Sequence, residues 1–188
     1  QSVAIGTLRC DKRDAIVGIQ IKQGQVLDYI RPVCAEVICD KGACSWAAAD
    51  AYDGDEYAGN LDGGTTVFME CPPGLIVAGF EGVAANRNAF VGGLRVACGK
   101  VASMQKRKDG RAVFALAPAA PVWAERIDSA GDPVEAAPYP KALTRGTQVT
   151  EYCKGWGATG LSVAVAPLVN LGVDQSKLMQ SFKDMINP

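Results

Sequence analysis

Two cysteine-bounded stretches of this chain share one internal spacing, and that spacing limits the possible fold more than any other feature. "LRCDKRDAIVGIQIKQGQVLDYIRPVC" and "MECPPGLIVAGFEGVAANRNAFVGGLRVAC" superpose Cys10 on Cys71, Gly18 on Gly79 and Cys34 on Cys98. Eight positions separate cysteine from glycine in both. A third copy opens "EYCKGWGATGLSVAVAPLVNLGVD", in which Cys153 to Gly160 is one position shorter and no closing cysteine follows. "AIVGIQI" and "LIVAGFEGV" are β-branched-rich runs with an internal glycine, the mark of a bulge or a close backbone approach. "VLDYIRPVC" and "VGGLRVAC" then return as second strands. The chain reads as mainly β, with three pseudo-repeats of antiparallel strands in a single domain over 1–188. The repeats fall at about 7–37, 67–101 and 149–182, with inserts at 38–66 and 102–148.

A bridge from Cys10 to Cys34, or from Cys71 to Cys98, closes a loop of about 25 residues and stabilises by roughly 3 to 4 kcal/mol in the chain-entropy model. Cys39 and Cys44, five positions apart, form a local pair, with a bridge from either one to Cys153 as the alternative. In the first case Cys153 is left free or intermolecular. Seven cysteines suit an oxidising compartment, and a chain that starts at Gln1 resembles one from which a signal peptide has been removed. The expected location is therefore secreted, at the cell surface or in the periplasm. A structural zinc site fails on spacing, because only "CDKGAC" brings two thiols close and no second short-gap pair completes a tetrad.

Charge and absent residue types remove further classes. With 19 Lys and Arg against 20 Asp and Glu, the net charge of −1 gives no excess for neutralising many phosphates, so nucleic acid is not an expected partner. No apolar run approaches the roughly 20 residues of a membrane-spanning helix, so no membrane span is expected. The chain has no histidine, the usual general base and partner of a nucleophile. Acid and base work needs two carboxylates, and "DGDE" holds three, but in one loop with no apolar pocket to separate their pKa values. The expectation is that the chain is not an enzyme.

The repeat pattern, a cysteine, a Pro-Gly or small polar turn, an apolar run into glycine, a loop and a strand ending in cysteine, resembles the vitelline membrane outer layer protein family and related bacterial secreted repeats. The resemblance covers about 10–34, 71–98 and 153–182. It implies a β-prism-like fold, three small antiparallel sheets around a pseudo-threefold axis. In the first copy, "GQVLDYI" is similar to the glycine-x-x-x-aspartate loop of jacalin-type β-prism lectins, which maps onto Gly24 and Asp28. That likeness implies an aspartate accepting hydrogen bonds from sugar hydroxyls beside a glycine that allows close approach. The alternative is a turn shaped by Gly24 in which Asp28 bonds its own backbone.

Between the first two copies, "SWAAADAYDGDEYAGNLDGG" crowds carboxylates around glycines. Calcium is the one cofactor such a loop would take, with Asp53, Asp55 and Asn60 or Asp62 as ligands; a solvated acidic loop is the plainer reading. Trp46, Tyr52 and Tyr57 suit a sugar face or a protein interface. Asp109-Gly110 marks a hairpin outside the repeats. Pro118, Pro121, Pro133, Pro138 and Pro140 make 118–140 an extended arm, and Val122, Trp123, Ile127 and Val134 are too apolar for an idle spacer. The arm is expected over its own domain or buried against a neighbouring subunit. Leu178, Met179, Phe182, Met185 and Ile186 recur at helical spacing after Asp174, which predicts a short C-terminal helix.

Together these features point to a secreted, non-catalytic structural or interaction subunit of an extracellular or cell-surface assembly. Its partners would be protein subunits, including copies of itself. The alternative is a lectin-like carbohydrate-binding module that takes glycans through Gly24, Asp28, Trp46, Tyr52 and Tyr57.

Overall fold

The computed structural model describes residues 4–23, 27–62, 64–85, 90–134, 148–153 and 155–165. The expected C-terminal helix, Gly24 and positions 135–140 of the arm lie outside them. The first repeat supplies β1 (Ala4–Arg9), β2 (Asp14–Gln23) and β3 (Leu27–Glu36). Its insert adds β4 (Ile38–Asp40), β5 (Ala43–Ser45), β6 (Tyr52–Asp53) and β7 (Ala58–Gly59). The second repeat forms β8 (Thr65–Glu70), β9 (Leu75–Ala85) and β10 (Phe90–Lys106). After it come β11 (Ala112–Leu116), β12 (Val122–Trp123) and β13 (Glu125–Ile127), then β14 (Gln148–Tyr152) and β15 (Gly160–Val165) in the third repeat. The described chain is mainly β, in several antiparallel sheets, and contains no α-helix. Among the described residues no helix is long and apolar enough to cross a membrane.

Each repeat gives its first strand to another repeat, and the exchange closes a ring. Strand β8 pairs with β2, β14 with β9, and β1 with β15. The register is the same at all three junctions: the residue before the cysteine faces the repeat glycine, Glu70 opposite Gly18, Tyr152 opposite Gly79 and Arg9 opposite Gly160. The cysteine N–H then donates to the carbonyl just before that glycine, from Cys71 to Val17 at 2.8 Å, Cys153 to Ala78 at 2.9 Å and Cys10 to Thr159 at 3.3 Å. One step inward, Ile16 N–H donates to Ala158 and Ala158 N–H to Val77, at 2.9 and 2.8 Å. The three repeats thus meet at Ile16, Val77 and Ala158, which are 0, 0 and 6% exposed.

Glycine is required at the first crossing because the partner backbone lies against it, and the third crossing is looser. A Cβ on Gly18 would sit 2.7 Å from the Met69 carbonyl oxygen, and one on Gly160 would sit 3.3 Å from that of Leu8, the matching atom. Beside the first two glycines the ladder shifts register, between Ile16 and Gly18 in β2 and opposite Val77 and Gly79 where β10 passes from Ala97 to Cys98. These are bulges, and they bend each long hairpin toward the common centre.

The space inside the ring is filled by Ile16, Ile19, Ile21, Met69, Val77 and Val96, together with the Cys10–Cys34 and Cys71–Cys98 disulfides. Burying each such aliphatic side chain stabilises by about 1.5–3 kcal/mol. A second cluster, with Phe114 fully buried among Val17, Ile76 and Trp46, closes one end. The third disulfide, Cys39–Cys44, ties the short β4–β5 hairpin. Cys153 is free and packs against the inner cluster. Two of the three bridges join the pairs that the repeat spacing suggests, and the third is the expected local pair.

The proline-rich arm, as far as Val134, lies on its own sheets, one of the two placements expected for it. Strand β12 pairs with Ala97 and Cys98 of β10, while β13 pairs with Phe68, Met69 and Glu70 of β8. Two arginines hold it there. Arg95 lies 4.1 Å from the Trp123 ring centroid, and Arg126 donates to the Leu94 carbonyl at 2.9 Å and to Gln23 Oε1 at 3.0 Å.

The crowding difference between equivalent glycines is testable. Gly18→Ala should cost about 1–3 kcal/mol in denaturant unfolding, because the closest colliding atom, the Met69 carbonyl oxygen, is backbone and cannot move aside. Gly160→Ala should cost clearly less, since its nearest neighbour, at 3.2 Å, is the flexible Arg9 side chain. Equal losses would contradict the register.

Candidate functional site

The acidic insert is pinned to the outer edge of β3. Strand β6 pairs Tyr52 with Cys34 and Asp53 with Val33, and β7 pairs Ala58 with Ile30 and Gly59 with Tyr29. At Gly59, with φ +103°, any side chain would strike the Asp28 carbonyl. Arg31 clamps the loop between these strands: Nε donates to the Gly54 carbonyl at 2.6 Å and the guanidinium pairs with Asp53 Oδ2 at 3.1 Å. The Tyr52 hydroxyl donates to Oδ2 of Asp14, a buried carboxylate at the start of β2. Burial first, and then the hydrogen bond to Asp14, pushes the Tyr52 pKa upward. The Tyr57 ring leans on buried Tyr29, with centroids 5.3 Å apart and planes at 37°.

Held this way, the loop forms one wall of an open groove of about 450 Å³. Thr7, Arg9 and Asp11 line the facing wall along and just beyond β1, Arg111 from the β10–β11 hairpin borders it, and Tyr52, Asp55 and Glu56 come from the loop. A neighbouring hollow shares Thr7, Asp55 and Glu56 and continues to Tyr57. Tyr57 is 49% exposed, so one end of the groove offers an aromatic surface and the rest offers carboxylates, a hydroxyl and two guanidinium groups. That combination can hydrogen-bond and stack, and contains no pairing of a base with a nucleophile.

The expected site residues separate under this geometry. Tyr52 and Tyr57 lie at the groove, and Asp55 lines it. Trp46 does not join them: expected as an exposed aromatic, it is 5% exposed and donates its Nε1–H to the Leu75 carbonyl at 2.6 Å, because it completes the end cluster around Phe114. Asp28, expected on a solvent-facing loop, is half-buried within β3, where its carbonyl accepts the Asn60 N–H at 2.8 Å. Of the calcium candidates, Asp53 is paired with Arg31 and Asn60 Oδ1 accepts the Asp62 N–H at 3.0 Å in an Asx turn. Among the described residues, Asp53, Asp55 and Asp62 do not gather with one another into a metal-holding group. Thr7, Arg9, Asp11 and Arg111 were not foreseen, since only strand exchange and a distant hairpin bring them to the loop. Neither a family model, nor a curated protein, nor a solved structure matches the chain.

Replacing Tyr52 tests the loop's anchor. Tyr52→Phe removes the only hydrogen bond found to the buried Asp14 side chain among the described residues and should cost about 1–3 kcal/mol at neutral pH. The raised Tyr52 pKa also has a signed consequence. Above its ordinary value of 10.0 the unfolded tyrosine loses a proton that the folded one keeps, so stability falls as pH rises beyond that point. Urea titrations at neutral pH and above 10 should show a steeper decline in the parent than in Tyr52→Phe; parallel curves would contradict the assignment.

Proposed function

We propose that this chain is a secreted, non-catalytic binding module with a β-prism fold, and that its ligand is a carbohydrate held in the groove beside β1. The observation that carries this reading is the groove itself. Carboxylates and a hydroxyl suited to sugar hydroxyls lead to an exposed tyrosine ring whose reverse side is fixed by Tyr29. The β-prism, and with it the likeness to the vitelline membrane outer layer family, is supported by the cyclic exchange of three strands in one register. Export is supported by the three disulfides, which persist in oxidising compartments. A non-catalytic role is supported by the lack of histidine and by burial that pushes the Cys153 thiol pKa up, away from a reactive thiolate.

A second reading, a subunit of an extracellular protein assembly, is favoured by the exposed apolar side chains Ile38, Met104, Val122 and Trp156. As far as Val134 the arm pairs with its own sheets, and Val122 on it remains exposed.

A glycan array separates the two. The parent should bind a defined set of neutral oligosaccharides, and Tyr57→Ala and Asp55→Asn/Glu56→Gln should each weaken binding at least about tenfold; the carboxylate changes should leave stability within about 0.5 kcal/mol, as exposed positions do, and Tyr57→Ala, which gives up the Tyr29 contact, should cost about 0.5–1.5 kcal/mol. A parent that binds no glycan but elutes as an oligomer would favour the assembly reading.

A further inference from the structure

The net charge of −1 conceals an uneven distribution. The tip of the β10–β11 hairpin carries Lys106, Arg107, Lys108 and Arg111, folded by hydrogen bonds from Arg107 N–H to the Arg111 carbonyl at 2.8 Å and from Gly110 N–H to the Arg107 carbonyl at 3.0 Å. Gly110, at φ +84°, makes that turn possible. The N–H of Ala112 then donates to the Lys12 carbonyl at 2.7 Å, which brings the turn containing Lys12 and Arg13 against the hairpin. Two segments about a hundred residues apart therefore form one surface. Five of the six cations are exposed, and Arg111 is half-buried at the groove wall.

None of the six forms an ion pair with a described carboxylate; the ion pairs among the described residues are Arg31 with Asp53 and Arg95 with Glu81. The carboxylates of the two turns are Asp11, Asp14 and Asp109; Asp14 N–H closes the first turn on the Asp11 carbonyl at 3.1 Å and its Oδ2 accepts the Tyr52 hydroxyl, while Asp109 Oδ1 accepts the Arg111 N–H at 3.0 Å. Six cations against three carboxylates leave a local charge of +3 on a chain whose total is negative. Clustering like charges is unfavourable by itself, and an anionic ligand relieves it.

We propose that these two turns bind an anionic polysaccharide, one bearing sulfate or carboxylate groups. Long, exposed Lys and Arg side chains gain affinity for a polyanion by releasing its condensed counterions, and Arg can bind sulfate or carboxylate through two parallel hydrogen bonds. A nucleic acid fits less well. Neither turn carries an aromatic side chain on which a base could stack, and the adjoining wall offers Asp55 and Glu56 as acceptors for the hydroxyls that an uncharged sugar unit presents and a phosphate backbone does not. Arg111 borders both the basic turns and the groove, so an acidic chain could cross the turns with an uncharged unit in the groove. The proposal goes beyond the neutral-sugar reading and does not require it.

The test uses the full chain and immobilised heparin, polygalacturonate and a short DNA duplex as probes. The parent should bind heparin at about 50 mM salt, with an affinity that falls linearly in the logarithm of salt concentration. Lys106→Ala/Arg107→Ala/Lys108→Ala should bind at least about tenfold more weakly and lower the slope by about 2 to 3. Lys12→Ser/Arg13→Ser leaves the hairpin sequence intact and should lower the slope by about 1 to 2. Unchanged circular dichroism establishes that both variants fold, and both should bind neutral glycans as the parent does. The proposal is overturned if the parent fails to bind both heparin and polygalacturonate, if the folded variants bind as the parent does, or if the duplex binds as tightly as heparin. Loss of neutral-glycan binding in Tyr57→Ala with heparin binding retained shows the two sites to be separate.

Discussion

The structure depends on a single backbone hydrogen bond made three times, from the N–H of a repeat cysteine to the carbonyl just before the glycine of another repeat. A hydrogen bond of this kind contributes only about 0.5–1.5 kcal/mol net. Its importance is geometric, because it sets the register of each exchanged strand and so decides which side chains face inward. A slip of one residue would turn Met69 and Val67 of β8 outward and bring Phe68 and Glu70 toward the interior. At the junction of β8 with β2, Gly18 opposes that slip by admitting the partner backbone at one position. The Cys10–Cys34 and Cys71–Cys98 disulfides then join the end of an exchanged strand to the hairpin of its own repeat. The third repeat lacks this bridge, and its Cys153 remains a free thiol beside the core.

Much of this framework was legible because it is local. The equal spacing from cysteine to glycine, the apolar runs around Gly18 and Gly79, and the Asp109-Gly110 turn all have effects within a few residues. The destination of the strands before the cysteines was not legible. "AIGTLR" and "TTVFME" look like ordinary strands, and nothing in their composition says that one pairs with β15 and the other with β2. Trp46 misled for a related reason: it lies in an acidic, glycine-rich stretch, yet the β4–β5 hairpin carries it onto the end cluster. The groove was half visible. Tyr52, Tyr57, Asp55 and Glu56 lie together in sequence, whereas Thr7, Arg9 and Arg111 reach them only through the closed ring and the long β10–β11 hairpin.

The division of labour between repeats and inserts follows from the same geometry. The repeats are constrained by the shared centre at Ile16, Val77 and Ala158, where little can change without loss of packing. The inserts carry the two proposed binding surfaces. The first places the acidic loop over β3 through Arg31 and Tyr52. The second extends β10 into the basic hairpin and then returns as the arm that Arg95 and Arg126 secure across β10 and β8. Both meet β1, the strand that closes the ring, so the proposed binding surface sits where the first and third repeats join.

The closure of that ring is tested most directly by nuclear Overhauser contacts between backbone protons in isotopically labelled protein. The account predicts three equivalent sets of cross-strand contacts, linking Glu70 with Gly18, Tyr152 with Gly79 and Arg9 with Gly160. Finding the first two while β1 shows no contact with β15, or contacts displaced by one residue, would contradict the cyclic exchange.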